Sequence, residues 1–231
     1  GVHIEVYNYG GTFTVTDSSI TSNEARQGGG LALYADALST VYYGGDLDRG
    51  TLTISNTTVQ SNTASRAGGG LFLYGEQDIS DIIIDGSAIL DNLVQSAGRP
   101  PQRGGGAYSL GGGVLFANDY GIGGMTINDT TISGNTALLG GGVAVVFESY
   151  GSPIRIEAST ISGNTAGNDG GGVFLYATTV ERPINFVDTV IENNTAEEDG
   201  GGVFIDGDDF YGPVTFERTT VSGNTAANGD G

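Results

Sequence analysis

The sequence predicts an all-β fold, a right-handed parallel β-helix (β-solenoid) of about seven rungs with about 30 residues in each rung. Two observations predict the solenoid. A motif close to TIS-GNTA followed by GGGV returns along the 231 residues, for example in 131–137 and 140–143. Short runs alternate apolar and polar residues, which is the period of a β-strand. A third observation excludes helical repeats, because no long window has the apolar spacing of about 3.6 residues that a helix needs.

Each repeat contains one asparagine at an equivalent position, and we expect these asparagines to form an inward-facing ladder. An amide in every rung can hydrogen-bond to the turn backbone and to the amides above and below it, as in other stacked β structures. Loss of one amide would leave its neighbours unsatisfied, at a cost of about 1–3 kcal/mol. The predicted ladder residues are Asn23, Asn62, Asn92, Asn135, Asn164, Asn194 and Asn224.

Apolar columns and glycine triplets define the rest of each repeat. One strand carries alternating residues such as Ile154 and Ile156, a second apolar column follows at Ile161, and another strand follows the triplet at 173–176. The triplets suit a corner where backbones approach closely or φ is positive. We assign the Thr-Ala pair after each asparagine to a tight turn. Parallel strands are almost always connected with a right-handed crossover, so the coil should be right-handed.

The pattern is continuous, and we expect residues 1–231 to form one β-helix domain within a longer repeat array. Gly1 and Gly231 fall at equivalent glycine positions, and neither end carries a polar or helical cap. The alternative is that copies stack end to end through uncapped rungs. Two insertions, at 35–50 and between Leu93 and Leu110, are either binding loops or tolerated surface variation. A doubled glycine triplet, 104–106 and 111–113, leaves the register of the third repeat open.

The composition excludes several function classes. The net charge is −19, from 27 acidic and 8 basic residues, which disfavours nucleic acid and anionic lipid as partners. Cysteine is absent and histidine occurs once, which argues against thiol chemistry, Ser-His-Asp catalysis and zinc. No apolar run is long enough to predict a membrane span in this segment.

Acidic side chains form a candidate cation site. Asp169 and Asp199 precede successive glycine triplets, so they should stack about one strand spacing apart and repel each other. A hard cation with oxygen ligands, such as Ca²⁺, would relieve that repulsion. The predicted ligands are Asp169, Glu198, Asp199, Asp206, Asp208 and Asp209, and the alternative is a solvated acidic rim. No other cofactor is predicted.

Tyrosines form a further candidate surface. Tyr34, Tyr74 and Tyr176 end the strands that follow the glycine triplets. Stacked aromatic rings can bind sugar rings, mediate assembly, or simply pack under the loops that follow them.

The motifs resemble those of a known family. GGG-[V/L] alternating with [I/V]-x-x-N, as in Ile132 to Asn135, is similar to the repeat of the chlamydial polymorphic outer-membrane protein family, which uses GGA-[I/L/V] and F-x-x-N. The resemblance covers essentially the whole chain, with Ile or Val in place of Phe and a third Gly in place of Ala. It also extends to other large bacterial surface proteins with β-helix repeats. It implies a secreted autotransporter passenger region, cell-surface display and adhesion, and it does not imply catalysis.

These observations predict a non-enzymatic extracellular or cell-surface β-helix, a stalk, adhesin, or matrix or filament segment. Its expected partners are neighbouring copies or flanking repeats stacked end to end, and glycans or other host or cell-surface ligands. The alternative is a carbohydrate-active β-helix, either a polysaccharide lyase or a glycan-binding module. A lyase needs a basic residue beside acidic groups, and Asp188 should lie one rung below Arg218. A plain ion pair is the other interpretation of those two residues.

Overall fold

A computed structural model describes residues 1–7, 12–36, 50–75, 81–95, 109–118, 123–150 and 152–231 of the chain. Every regular element in these ranges is a β-strand, and 28 strands form four parallel sheets of seven strands each. Each rung contributes one strand to every sheet, so the chain coils through seven rungs as a parallel β-helix. The described ranges contain no helix long and apolar enough to cross a membrane.

The first sheet contains the strand that follows each glycine triplet. Its strands are β1 (Val2–Tyr7), β5 (Leu31–Asp36), β9 (Leu71–Gly75), β13 (Val114–Asn118), β17 (Val143–Tyr150), β21 (Val173–Val180) and β25 (Val203–Phe210). Leu71 faces the interior of the coil and Phe72 faces outward, yet both are buried. This sheet is therefore apolar on both faces.

The second sheet contains the alternating strand that was predicted to open each repeat. Its strands are β2 (Thr12–Thr16), β6 (Thr51–Ser55), β10 (Ile82–Asp85), β14 (Met125–Asn128), β18 (Ile154–Glu157), β22 (Ile184–Val187) and β26 (Val214–Glu217). Ile154 and Ile156 are buried while Arg155 and Glu157 are partly exposed, as the period of two predicts.

The third sheet places one inward aliphatic residue in each rung. Its strands are β3 (Ser19–Thr21), β7 (Thr58–Gln60), β11 (Ala88–Leu90), β15 (Thr131–Ser133), β19 (Thr160–Ser162), β23 (Val190–Glu192) and β27 (Thr220–Ser222). Ile132, Ile161 and Ile191 are fully buried in this column. The predicted second apolar column is thus a sheet of its own.

The fourth sheet corrects the assignment of the Thr-Ala pairs to tight turns. Its strands are β4 (Glu24–Gln27), β8 (Thr63–Ala67), β12 (Leu93–Val94), β16 (Thr136–Ala137), β20 (Thr165–Ala166), β24 (Thr195–Ala196) and β28 (Thr225–Ala226). Thr165 and Ala166 pair in register with Thr195 and Ala196. The alanine points inward and is buried, so each pair is a short strand rather than a turn.

Two apolar clusters hold the rungs together. The larger lies inside the coil and extends through all seven rungs, and near its end the rings of Phe186 and Phe216 stack with centroids 4.7 Å apart. The smaller lies outside the first sheet, where corner residues such as Leu110 and Leu139 pack with Phe72 and Leu115. This outer cluster supports the surface that contains the tyrosines.

The glycine triplets form corners of the kind that the sequence predicts. The first glycine has a positive φ, as at Gly170 (68°). A Cβ placed on the third glycine, Gly172, would lie 2.5 Å from the carbonyl oxygen of Gly202 and 3.0 Å from Nδ2 of Asn194. In the third rung the triplet is 111–113, because the N–H of Gly69 donates to the carbonyl of Gly111. The triplet 104–106 and most of both insertions, 37–49 and 96–108, lie outside the described residues.

Candidate functional site

A ladder of asparagine side chains ties each rung to the next. The backbone N–H and Nδ2 of Asn164 both donate to Oδ1 of Asn194, at 3.0 and 2.9 Å, and Nδ2 also donates to the carbonyl of Ile132 at 3.0 Å. The same paired bonds recur at each step from Asn23 to Asn224. The five middle asparagines are at most 1% exposed. The amides therefore form one continuous hydrogen-bonded column within the coil.

A second ladder, made of hydroxyl groups, was missed by the sequence analysis. Each hydroxyl donates to the carbonyl two residues earlier, at 2.7–3.1 Å. The residues are Ser18, Thr57, Ser87, Thr130, Ser159, Thr189 and Thr219. Ser159 Oγ also accepts the N–H of Thr130 from the preceding rung, at 3.1 Å. The available signal was a Ser or Thr two residues before every inward aliphatic residue of the third sheet, hidden among many other hydroxyl residues.

The predicted acidic ligands do not come together as one group. Asp169 and Asp199 stack as expected, but Oδ1 of Asp169 accepts the backbone N–H of Asp199 at 3.0 Å. Asp199 in turn accepts the N–H of Asp230 at 2.7 Å. Glu198 lies exposed at the same corner, and Asp206, Asp208 and Asp209 lie in β25. Within the described ranges, no three acidic, histidine or cysteine side chains form a metal-binding cluster, so Ca²⁺ binding stays a prediction.

The structure brings two of the three predicted tyrosines together. Tyr34 and Tyr74 pair in register on β5 and β9, with ring centroids 6.0 Å apart. Tyr176 lies in the same outward column, but Ala117 and Val146 separate it from Tyr74. All three rings are half-buried against the outer apolar cluster. Burial raises the pKa of the Tyr34 phenol, and its hydroxyl donates to Oε1 of Gln27 at 2.6 Å.

Asp188 and Arg218 form the ion pair expected one rung apart. Nε of Arg218 lies 2.6 Å from Oδ1 of Asp188 and Nη2 lies 2.8 Å from Oδ2, and Glu217 contacts the same guanidinium. The hydrogen bond to Asp188 raises the pKa of Arg218, and its counterpart lowers the pKa of Asp188. The raised pKa keeps Arg218 protonated, and a protonated guanidinium cannot accept a proton.

Comparison with known proteins agrees with this architecture. The family model described as a right-handed β-helix region matches residues 6–230. The chain belongs to the right-handed β-helix family. This right-handed β-helix has no match among curated proteins or among solved structures. The family match confirms the predicted coil, whereas the closer resemblance to the chlamydial polymorphic proteins stays a prediction.

Membership of the right-handed β-helix family sets the scaffold and leaves the specific activity open. The fold occurs in adhesins and in carbohydrate-active enzymes. In this β-helix the amide and hydroxyl ladders lie in the wall and interior of the coil. Outward features include the Tyr34–Tyr74 pair on the first sheet and the Asp188–Arg218 pair, whose residues directly follow strands β22 and β26 of the second sheet.

Proposed function

We propose that this β-helix is a non-enzymatic extracellular scaffold, either structural or adhesive: a surface-displayed stalk, an adhesin, or a segment of a matrix or filament. One observation supports this most directly: the asparagine column from Asn23 to Asn224 joins every rung to the next through the same atoms. Such a column makes the coil a rigid support, and rigid supports are suited to presenting surface residues to ligands.

The proposed location is outside the cell or at its surface. The net charge of −19 favours solubility and keeps neighbouring molecules from adhering nonspecifically. The resemblance of the repeat motifs to bacterial surface proteins supports the same location. The proposed ligands are glycans or other surface molecules, which the outward tyrosines Tyr34, Tyr74 and Tyr176 would contact.

The scaffold would be extended by further rungs of the same pattern. Each asparagine accepts from the rung before it and donates to the rung after it. A rung from flanking repeats or from a neighbouring copy would continue this asparagine column. Because the column has a direction, such rungs would stack only head to tail. Electron microscopy across a concentration range would distinguish filaments from single rods.

A search for catalysis tests the non-enzymatic part of the proposal. The purified protein is incubated with acidic and neutral polysaccharides, and new reducing ends and unsaturated products are measured. We expect neither, because Arg218 is held between two carboxylates. Product formation that is lost in Arg218→Gln and retained in Arg155→Gln would overturn the proposal in favour of a lyase.

A further inference from the structure

Two arginines lie beside each other at the corner between the fourth and first sheets, in the first two rungs. A β-bulge in the pairing of β4 with β8 sets Arg26 opposite Ser65 and Arg66. Arg26 is exposed and Arg66 is partly exposed. Only 8 residues of the chain are basic against 27 acidic ones, so two adjacent guanidinium groups make an unusual local concentration of positive charge.

The paired tyrosines adjoin these arginines. Gln27, the neighbour of Arg26 in sequence, accepts the hydroxyl of Tyr34 at 2.6 Å. Burial raises the pKa of Tyr34, and the positive charges of Arg26 and Arg66 both oppose that rise. The ring centroids of Phe72 and Tyr34 lie 5.0 Å apart, so the two rings are in contact.

Other charged groups also face this corner. The negative charge of Glu5 raises the pKa of Tyr34, opposite to the effect of the arginines. Nε2 of His3 lies 3.9 Å from Oε2 of Glu5. The His3 ring lies 5.4 Å from that of Tyr34. Glu24 is exposed two residues before Arg26 on β4. The corner thus contains a carboxylate and a histidine as well as the two guanidinium groups.

This combination matches one class of ligand. Guanidinium groups bind carboxylates through paired, charge-assisted hydrogen bonds, and tyrosine rings pack against the apolar face of sugars. Two rungs extend about 10 Å along the coil, which is the size of one or two sugar rings. A long polyanion would be repelled by the remaining surface, since the net charge is −19.

We propose that Arg26, Arg66, Tyr34 and Tyr74 bind a single acidic sugar, a pyranose that bears a carboxylate, at the end of a glycan chain. The arginines contact the carboxylate and the tyrosines contact the ring. The inference rests on the proposed adhesive function and specifies its ligand class.

Sialyllactose and lactose are a matched pair of probes, because they differ by one carboxylate-bearing sugar. Calorimetry at low ionic strength should detect sialyllactose binding and no comparable binding of lactose. Arg26→Gln and Arg66→Gln should each weaken the affinity for sialyllactose about tenfold, and Tyr74→Ala should weaken it by a similar factor. Arg182→Gln removes the same charge from an exposed site between β21 and β22 and should leave the affinity unchanged. Circular dichroism verifies that each variant is folded.

Three results would overturn the inference. Equal binding of lactose and sialyllactose would exclude carboxylate recognition, and equal losses in Arg182→Gln and Arg26→Gln would show only a general charge effect. Preference for a heparin oligosaccharide would indicate a sulfated polyanion instead. If the protein is displayed on cells but binds no sialyllactose, the inference fails and the proposed function stands. If sialyllactose binds but the protein stays inside the cell, the proposed location fails instead.

Discussion

Asn164 and Asn194, 30 residues apart in sequence, are joined by two hydrogen bonds that converge on one oxygen atom, Oδ1 of Asn194. That oxygen satisfies a backbone N–H and a side-chain N–H of the preceding rung. Both asparagines are fully buried, so water cannot replace either bond. The relationship explains why the amide cannot be exchanged for an apolar residue of similar size, and it repeats in the same form along the coil.

Removal of one central amide should destabilise the fold strongly. In Asn164→Ala, the backbone N–H and Nδ2 of Asn135 lose their acceptor and the carbonyl of Ile132 loses a donor. We expect a loss of roughly 3 kcal/mol in the free energy of unfolding, measured by denaturant titration. Asn168→Ala changes a partly exposed asparagine in the same rung and should cost less than about 0.5 kcal/mol. Equal losses in the two variants would contradict the ladder.

Substitution by alanine should destabilise the protein more at a glycine of the triplet than at a glycine of an open corner. Gly172→Ala places a Cβ 2.5 Å from the carbonyl oxygen of Gly202, so the neighbouring rung must shift, at a cost of about 3 kcal/mol. Gly163→Ala places its Cβ in open space, so the only strain comes from the positive φ of 62°. That strain costs about 1 kcal/mol. The Tm from thermal unfolding should fall further in Gly172→Ala than in Gly163→Ala. A larger fall in Gly163→Ala would refute the close approach of the rungs.

Ala158 is held in a left-handed conformation, and its replacement should stabilise the protein. Ala158 has a φ of 48° at an exposed corner, where glycine is free of the steric penalty. Ala158→Gly should raise the free energy of unfolding by about 0.5–1 kcal/mol, after allowance for the greater freedom of glycine in the unfolded chain. Ala166→Gly, at a buried inward position, should lower it. Destabilisation by Ala158→Gly would contradict the described corner.

The Asp188–Arg218 pair predicts a defined pH response. Arg218 lowers the pKa of Asp188, so the pair stabilises the folded state above the ordinary carboxyl pKa, and this contribution is lost as pH falls through the lowered value. Arg218→Gln should return the Asp188 pKa toward 3.8, followed by NMR titration of the side-chain carboxyl. High salt should reduce the difference in the Asp188 pKa between the parent protein and Arg218→Gln, because the ion pair is exposed. An Asp188 pKa at its ordinary value in the parent protein would mean that the ion pair does not form in solution.

Most of the fold could be predicted because identical residues recur at identical positions. Ile132, Ile161 and Ile191 mark one sheet directly, and the asparagines mark the corner beside it. The fourth sheet was missed because a two-residue strand such as Thr165–Ala166 is too short to show alternation. Its strand character comes from pairing with the next rung, which lies about 30 residues away and leaves no local signal.

The candidate site was less accessible to sequence reasoning. The spacing predicts the stacking of Asp169 on Asp199, but not that a carboxylate oxygen accepts a backbone N–H. The tyrosine column was visible, whereas the position of Arg26 opposite Arg66 depends on a one-residue bulge that changes the register between two rungs. Irregular pairing of this kind depends on the packing of the whole corner, so no local residue pattern predicts it.

Antibody labelling of intact cells of the organism that encodes the chain tests whether the β-helix is displayed outside the cell. An antibody raised against the folded β-helix is applied to intact and to permeabilised cells, with a known cytoplasmic protein as the reference. We expect equal labelling of intact and permeabilised cells for the β-helix, with the reference labelled only after permeabilisation. Labelling of the β-helix that requires permeabilisation would contradict an extracellular scaffold.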